Sequence, residues 1–307
     1  MRKNNKRQII IISTFLLIIV TGILYNIHIK KPSMKEPNIK LYLHEQDIVI
    51  SMKLEEYIKG TVAAEMPASF DIDALKAQAI CARTYTIKKL TEKHPYPKGA
   101  DLSDDINTCQ AYISAANFSA HQSERADLLK KINEAVDSTR GEIMLYNSKP
   151  IDALYCSTCG GRTESAGAVW GREIPYLRAV KCGGCEQSPH YKDNITISNQ
   201  IINKLVGDKG NALNIKILTR TPGGRPKSIS INQHQIDAAT LRKELNLPSN
   251  WIEFKSSKDS TIIETHGYGH GVGLCQYGSD GMAKRGKNYR QILKKYYQGI
   301  TFYKLDY

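Results

Sequence analysis

Three stretches of this 307-residue chain pair reactive side-chain types with informative spacing. In Thr61-Val-Ala-Ala-Glu-Met-Pro, one carboxyl group, Glu65, closes an apolar run just ahead of a proline break. Apolar neighbours disfavour the ionised form of a carboxyl group and move its pKa toward the range useful for donating a proton. Glu65 is therefore the candidate catalytic acid/base. The plain alternative is a solvated surface glutamate.

The second stretch runs from Thr265 to Ala283. It interleaves Gly267, Gly269, Gly271, Gly273, Gly278 and Gly281 with His266, His270, Gln276 and Tyr277. Glycine at this density marks backbone that turns tightly or approaches a ligand closely. Two histidines four residues apart can ligate a metal. Here the glycines oppose the helix that would align them, and no carboxylate follows at a metalloprotease spacing. The third stretch carries Cys156, Cys159, Cys182 and Cys185 as two C-x2-C pairs with glycines alongside. That spacing is the signature of a structural zinc site. Two disulfides are the alternative in an oxidising compartment. Cys81, Cys109 and Cys275 are left over. An odd thiol count outside the cell points to a reducing or anaerobic setting, and Cys81 reads as helix core.

Elements that position these residues follow from periodicity. Ile39 to Leu43 and Ile48 to Met52 alternate around a polar four-residue turn and predict a hairpin. Leu54 to Ala64 reads as a helix ended by Pro67, which lacks an amide hydrogen and restricts the residue before it. A longer helix starts at Ser69 or Asp71, either a good cap, and runs to about Leu90. Its stripe is Ile72, Leu75, Ala79, Ala82 and Ile87, and its alanines allow close packing. Ala126 to Thr139 and Tyr289 to Tyr297 are further helices, the last stopped by Gly299 and followed by a strand from Ile300 to Lys304. Ile143 to Tyr146 and Ile151 to Tyr155 predict a second hairpin. Strands and helices do not alternate regularly, so the class is α+β, a mostly antiparallel twisted sheet with packed helices.

Residues 9–29 form an uncharged apolar run preceded by Arg2, Lys3, Lys6 and Arg7. Its length suits a single transmembrane helix, and the basic flank puts the N-terminus in the cytoplasm. A cleaved signal peptide is the rival reading, but no small-residue cleavage site follows. Residues 1–8 then read as a cytoplasmic tail, 30–38 as a linker, and 39–307 as an extracytoplasmic domain with 195–248 a candidate inserted subdomain. Of the net charge of +13, residues 1–31 carry +6 and the remainder +7. That excess suits an anionic polymer or membrane face. Export and the absence of a basic block argue against nucleic acid.

Together these stretches resemble the SpoIID/LytB family, and within it the stage II sporulation lytic transglycosylases. The matching residues are 54–67, 74–85, 157–164 through Trp170 and Pro175, 267–278 and 292–297, in family order. The resemblance implies an enzyme that cuts peptidoglycan glycan strands after an amidase has removed their stem peptides. It would act during engulfment in endospore formation, from the mother-cell membrane toward the forespore, beside other engulfment membrane proteins. It also implies Glu65 as acid/base without a catalytic cofactor, and Arg83, His270, Gln276 and Tyr277 around the substrate. LytB-like relatives enhance amidases, so a non-catalytic wall binder is the alternative. Where the family has His-Ser-Thr-Ser, this chain has Cys156-Ser-Thr-Cys159, and Cys275 replaces a serine before Gln276. With the second C-x2-C, those changes suggest a metal or disulfide staple.

Overall fold

Alternation at Ile39 and Leu41 puts one face of the first strand in the core, where both side chains are fully buried. The computed structural model describes residues 35–92, 95–119, 124–210 and 212–307. Strand β1 (Asn38–Leu43) pairs antiparallel with β2 (Ile48–Lys53), from Asn38 opposite Lys53 to Leu43 opposite Ile48. Helix α1 (Leu54–Glu65) follows without a loop. It buries Leu54, Tyr57, Ile58, Thr61 and Val62 at helical spacing. Its last residue is Glu65, and Met66 turns the chain into extended backbone ahead of Pro67.

Helix α2 (Ile72–Glu92) is capped by Asp71, whose carboxylate accepts from the Asp73 N–H at 2.9 Å. Most of its residues from Ala74 to Thr84 are buried, too many for a one-faced helix. It is the central element, and β3 (Leu102–Ser103), α3 (Ala115–Ser119) and α4 (Glu124–Ser138) come next in the chain. Three short strands then lead to α5 (Ala166–Trp170): β4 (Glu142–Tyr146), β5 (Lys149–Pro150) and β6 (Tyr155–Cys156). Near the C-terminus β13 (Leu274–Cys275), α8 (Gln276–Ala283), α9 (Tyr289–Tyr296) and β14 (Thr301–Lys304) return to the same core. Helix α2 contacts α1, α4, α8, α9 and β4, and its alanines let these neighbours approach.

Between α5 and β13 lies a second group of elements. These are β7 (Asp193–Ser198), α6 (Asn199–Leu205), β8 (Ile215–Arg220), β9 (Pro226–Ile231), β10 (His234–Asp237), α7 (Ala238–Glu244), β11 (Ile252–Ser256) and β12 (Ser260–Thr265). They share an apolar cluster of Ile202, Ile229, Ile231, Leu241, Ile252 and Ile263. This packing group extends past residue 248, because β12 pairs with both β11 and β7. Residues 37–305 nonetheless form one compact unit.

The α+β class holds, but the single twisted sheet does not. Among the described residues the strands make small sheets of three or two members, and β1–β3 and β6–β13 are parallel pairs. Strands of two to six residues, interrupted by helices, are too short to share one long ladder. The expected membrane helix at 9–29 lies outside the described residues. Among the described residues no helix is long and apolar enough to cross a membrane.

One expected substrate residue belongs to this scaffold instead. Arg83 is fully buried and clasps Glu55 of α1 with two bonds, Nε to Oε1 at 2.9 Å and a terminal nitrogen to Oε2 at 2.6 Å. Its other terminal nitrogen donates to the Glu142 carbonyl at 3.1 Å, and the Gly141 N–H donates to Glu55 at 3.1 Å. With no exposed surface, Arg83 cannot meet a glycan. Its charge is spent on joining α1, α2 and the start of β4. Removing one partner of such a pair costs about 3–5 kcal/mol, whereas replacing both by apolar groups is far milder. Arg83→Met is therefore expected to lower the denaturant midpoint sharply, and Glu55→Leu/Arg83→Met to recover much of the loss. Equal losses in the single and double variants would refute this account.

Candidate active site

Glu65 reaches its position because α1 stops there. Its Oε1 accepts the Ala111 N–H at 2.7 Å. The segment bearing Ala111 lies close to α1 because residue 60 is glycine. A Cβ at Gly60 would sit 2.2 Å from the Tyr112 ring and 2.7 Å from the Ile113 carbonyl. On the other side, Gln276 at the start of α8 donates from Nε2 to the Glu65 main-chain carbonyl at 2.9 Å. That bond satisfies a carbonyl at the helix end, where intrahelical donors run out.

The carboxyl group opens into a cleft of about 430 Å3 lined by Tyr85, Gln110, Tyr155, Tyr268, His270 and Gln276, among others. Burial raises the Glu65 pKa above the usual glutamate value, and bonds from Ala111 and the Tyr155 hydroxyl only partly oppose this. The Tyr155 hydroxyl also donates to Gln110 Oε1 at 3.2 Å, and Gln110 Nε2 donates to the Tyr57 hydroxyl at 3.3 Å. Burial and the nearby Glu65 charge keep Tyr155 protonated far beyond its ordinary range. Among the residues lining the cleft, Glu65 is the one carboxylic acid.

The glycine-rich loop forms the opposite wall. Gly267, Gly269, Gly271 and Gly273 all take positive φ between 76° and 99°. Their backbone lies directly against residues 154–164, with Tyr268 N–H donating to the Thr158 carbonyl at 2.8 Å and Glu164 N–H to the Gly271 carbonyl at 2.8 Å. His270 Nδ1 accepts the Val272 N–H at 3.0 Å, so the neutral ring carries its proton on Nε2. Burial pushes its pKa down to about 4, which keeps it neutral. Trp170 tilts over this ring at 5.2 Å and is half exposed. His266 turns elsewhere, meeting Glu264 at 3.1 Å beside Trp251. The two histidines therefore do not form a joint ligand pair.

A family profile described as "SpoIID: Stage II sporulation protein" matches residues 42–146. A protein from Bacillus subtilis (strain 168) called "Stage II sporulation protein D" is 39% identical over 274 residues, covering 88% of this chain and 80% of the relative. One of the same name from Bacillus amyloliquefaciens is 37% identical over 282 residues, covering 90% and 82%. The chain belongs to the SpoIID family. A more distant relative, the "Amidase enhancer" of Bacillus subtilis (strain 168), is 28% identical over 303 residues, 80% of this chain and 40% of its own length.

Of the residues that the SpoIID resemblance nominated, Glu65, His270 and Gln276 meet in the cleft. Arg83 does not, for the reason given above. Tyr277 is not among the cleft-lining residues either. Its ring packs edge-on against Phe70 at 4.9 Å, and its carbonyl accepts from Gln187 at 2.9 Å. The residue after Gln276 on a helix points about 100° away, so the pair cannot share one wall. The expected cysteine quartet is also altered. Cys159, Cys182 and Cys185 gather with Cys275, not with Cys156, which lines the cleft.

The sequence reading assigned no role to Gln110, Tyr155 or Tyr268. Tyr155 and Tyr268 each sit beside a motif that was recognised, which was the available signal. Gln110 lies in a polar loop without periodicity and gave none.

The raised Glu65 pKa has a thermodynamic consequence. A group titrating higher in the folded than in the unfolded protein contributes its full stability below the unfolded pKa and loses it as pH rises through the folded pKa. Glu65→Gln, which keeps an acceptor for Ala111, should therefore melt higher than the parent at neutral pH. The gap should close as pH falls below the ordinary glutamate range. Thermal melts across pH measure this, and a gap that widens toward acid would contradict it.

Proposed function

We propose that this chain is a membrane-anchored peptidoglycan lytic transglycosylase, cutting MurNAc–GlcNAc bonds of stem-peptide-free glycan during engulfment in endospore formation. The observation that carries this reading is the single carboxylic acid in the cleft, with its pKa raised by burial. Most glycosidases need two carboxyl groups, one as acid and one as nucleophile or water activator. A lytic transglycosylase needs one, because the substrate supplies the nucleophile. The relatives' name, with its reference to sporulation, supplies the cellular setting.

Protonated Glu65 gives its proton to the glycosidic oxygen, and the bond from that oxygen to the muramic acid anomeric carbon breaks. The 6-hydroxyl of the same muramic acid attacks that carbon and passes its proton to the Glu65 carboxylate. The products are a 1,6-anhydro-muramyl end and a free 4-hydroxyl on the departing GlcNAc, with Glu65 protonated again. Intramolecular attack brings the proximity that a separate water would lack. Exposed Tyr268 and Trp170 offer apolar faces to sugar rings, with the neutral His270 ring packed against Trp170 in the same wall. Gln276 acts through Glu65 by fixing its backbone.

Mass spectrometry of denuded glycan strands incubated with the parent and with Glu65→Gln tests the reaction. Anhydro products from the parent, and none above background from the variant, are expected. Equal anhydro product from both would end the proposal. Tyr155→Phe removes a bond that favours ionised Glu65, so the alkaline limb of the pH–rate profile should move to higher pH. A limb that moves down or stays would show that Glu65 does not set it.

The second reading, a non-catalytic wall binder that enhances an amidase, rests on the name of the more distant relative. A Glu65→Gln strain that completes engulfment normally would favour it.

A further inference from the structure

The structure assigns a zinc site to Cys159, Cys182, Cys185 and Cys275, a ligand set that joins the middle of the chain to the segment just before α8. The four sulfurs all lie within 4.8 Å of one another, and all four residues are buried. The Cys159 and Cys185 sulfurs are 3.7 Å apart. In a tetrahedral site with zinc–sulfur bonds of about 2.3 Å, neighbouring sulfurs stand about 3.8 Å apart. Four oxygen-free, nitrogen-free thiolate donors match zinc or iron and not magnesium or calcium.

The surroundings fit thiolates rather than four inert thiols. The N–H groups of Cys159 and Gly278 both donate to Cys275 Sγ at 3.3 Å, and the Tyr296 hydroxyl lies 3.1 Å from Cys182 Sγ. Such outer bonds orient ligands and spread their charge. A tetrathiolate zinc centre is a dianion. Two guanidinium groups stand close by, with Arg225 donating to the Cys159 carbonyl at 2.8 Å and Arg285 to the Gly183 carbonyl. Gly278 is required at its place, since a Cβ there would lie 2.3 Å from Cys182 Sγ. Cys275 also caps α8 through its sulfur. The ion would thus fasten residues 157–160, the 182–185 turn and the residue just before Gln276. It does so without entering the cleft and independently of the proposed reaction.

Metal analysis of the full chain, purified without chelator, tests the assignment. About one zinc per chain is expected for the parent and for Cys156→Ser, and a loss of most of it for Cys275→Ser. Cys275→Ser is liable to misfold, so two measurements on the parent stand beside it. A mercurial thiol titrant should release zinc in step with thiol modification. Replacement by cobalt should give the charge-transfer and d–d absorption of a four-thiolate tetrahedron, unchanged in Cys156→Ser. Iron in place of zinc, absence of both metal and cobalt bands, or disulfide-linked peptides among the four would each overturn it. So would metal lost from Cys156→Ser but kept by Cys275→Ser.

Discussion

A buried ion pair sets the geometry on which everything else rests. Glu55 sits in the first turn of α1, and Arg83 reaches it from the middle of α2. The pair costs desolvation on both sides, and the bonds to Gly141 and Glu142 are what make it tolerable. In return the direction of α1 relative to α2 is fixed at one end. The far end of α1 carries Glu65, so a tilt at Glu55 would carry the carboxyl group out of the cleft. An apolar contact could supply comparable stability. It would not supply the same directional constraint, because hydrogen bonds are directional and hydrophobic contacts are not.

The cleft applies the opposite logic to the same residue type. Glu55 faces the Arg83 guanidinium, whereas Glu65, among the described residues, is held by an amide and a hydroxyl and is buried. Two glutamates ten residues apart on one helix thus sit in opposite surroundings, one beside a cation and one buried away from solvent. The Tyr155 hydroxyl has one proton and two acceptors, Gln110 and Glu65, so it can follow the ionisation of the carboxyl group. His270, kept neutral, adds no charge that would pull Glu65 toward early ionisation.

Much of this was legible in the sequence, and the failures share a cause. Local signals read correctly: the first hairpin, a long helix starting at one of the two offered caps (Ser69 or Asp71, the structure using Asp71), the helix stop before Pro67 and the closing helix and strand near the C-terminus. Glu65 stood out for the same reason, since its apolar run and proline are neighbours in the chain. What could not be read was pairing across distance. An arginine in an alanine-rich helix looks available until its partner, twenty-eight residues earlier, is seen. Two C-x2-C motifs look self-sufficient, yet the fourth sulfur comes from Cys275, whose departure from the family serine was visible without its destination. Likewise, periodicity gives strands but not which strand lies beside which, and so a single sheet was expected where several small ones exist.

The seat of Gln276 has a consequence for the timing of assembly. Glu65 ends α1, yet its main-chain anchor is the Gln276 side chain, 211 residues later, and β14 pairs with β4 from further along still. A chain made only as far as β12 would present α1 without the glycine-rich wall opposite it. The cleft therefore needs residues from opposite sides of the domain's sequence, and a product truncated before Tyr268 would lack one wall by construction rather than by inhibition.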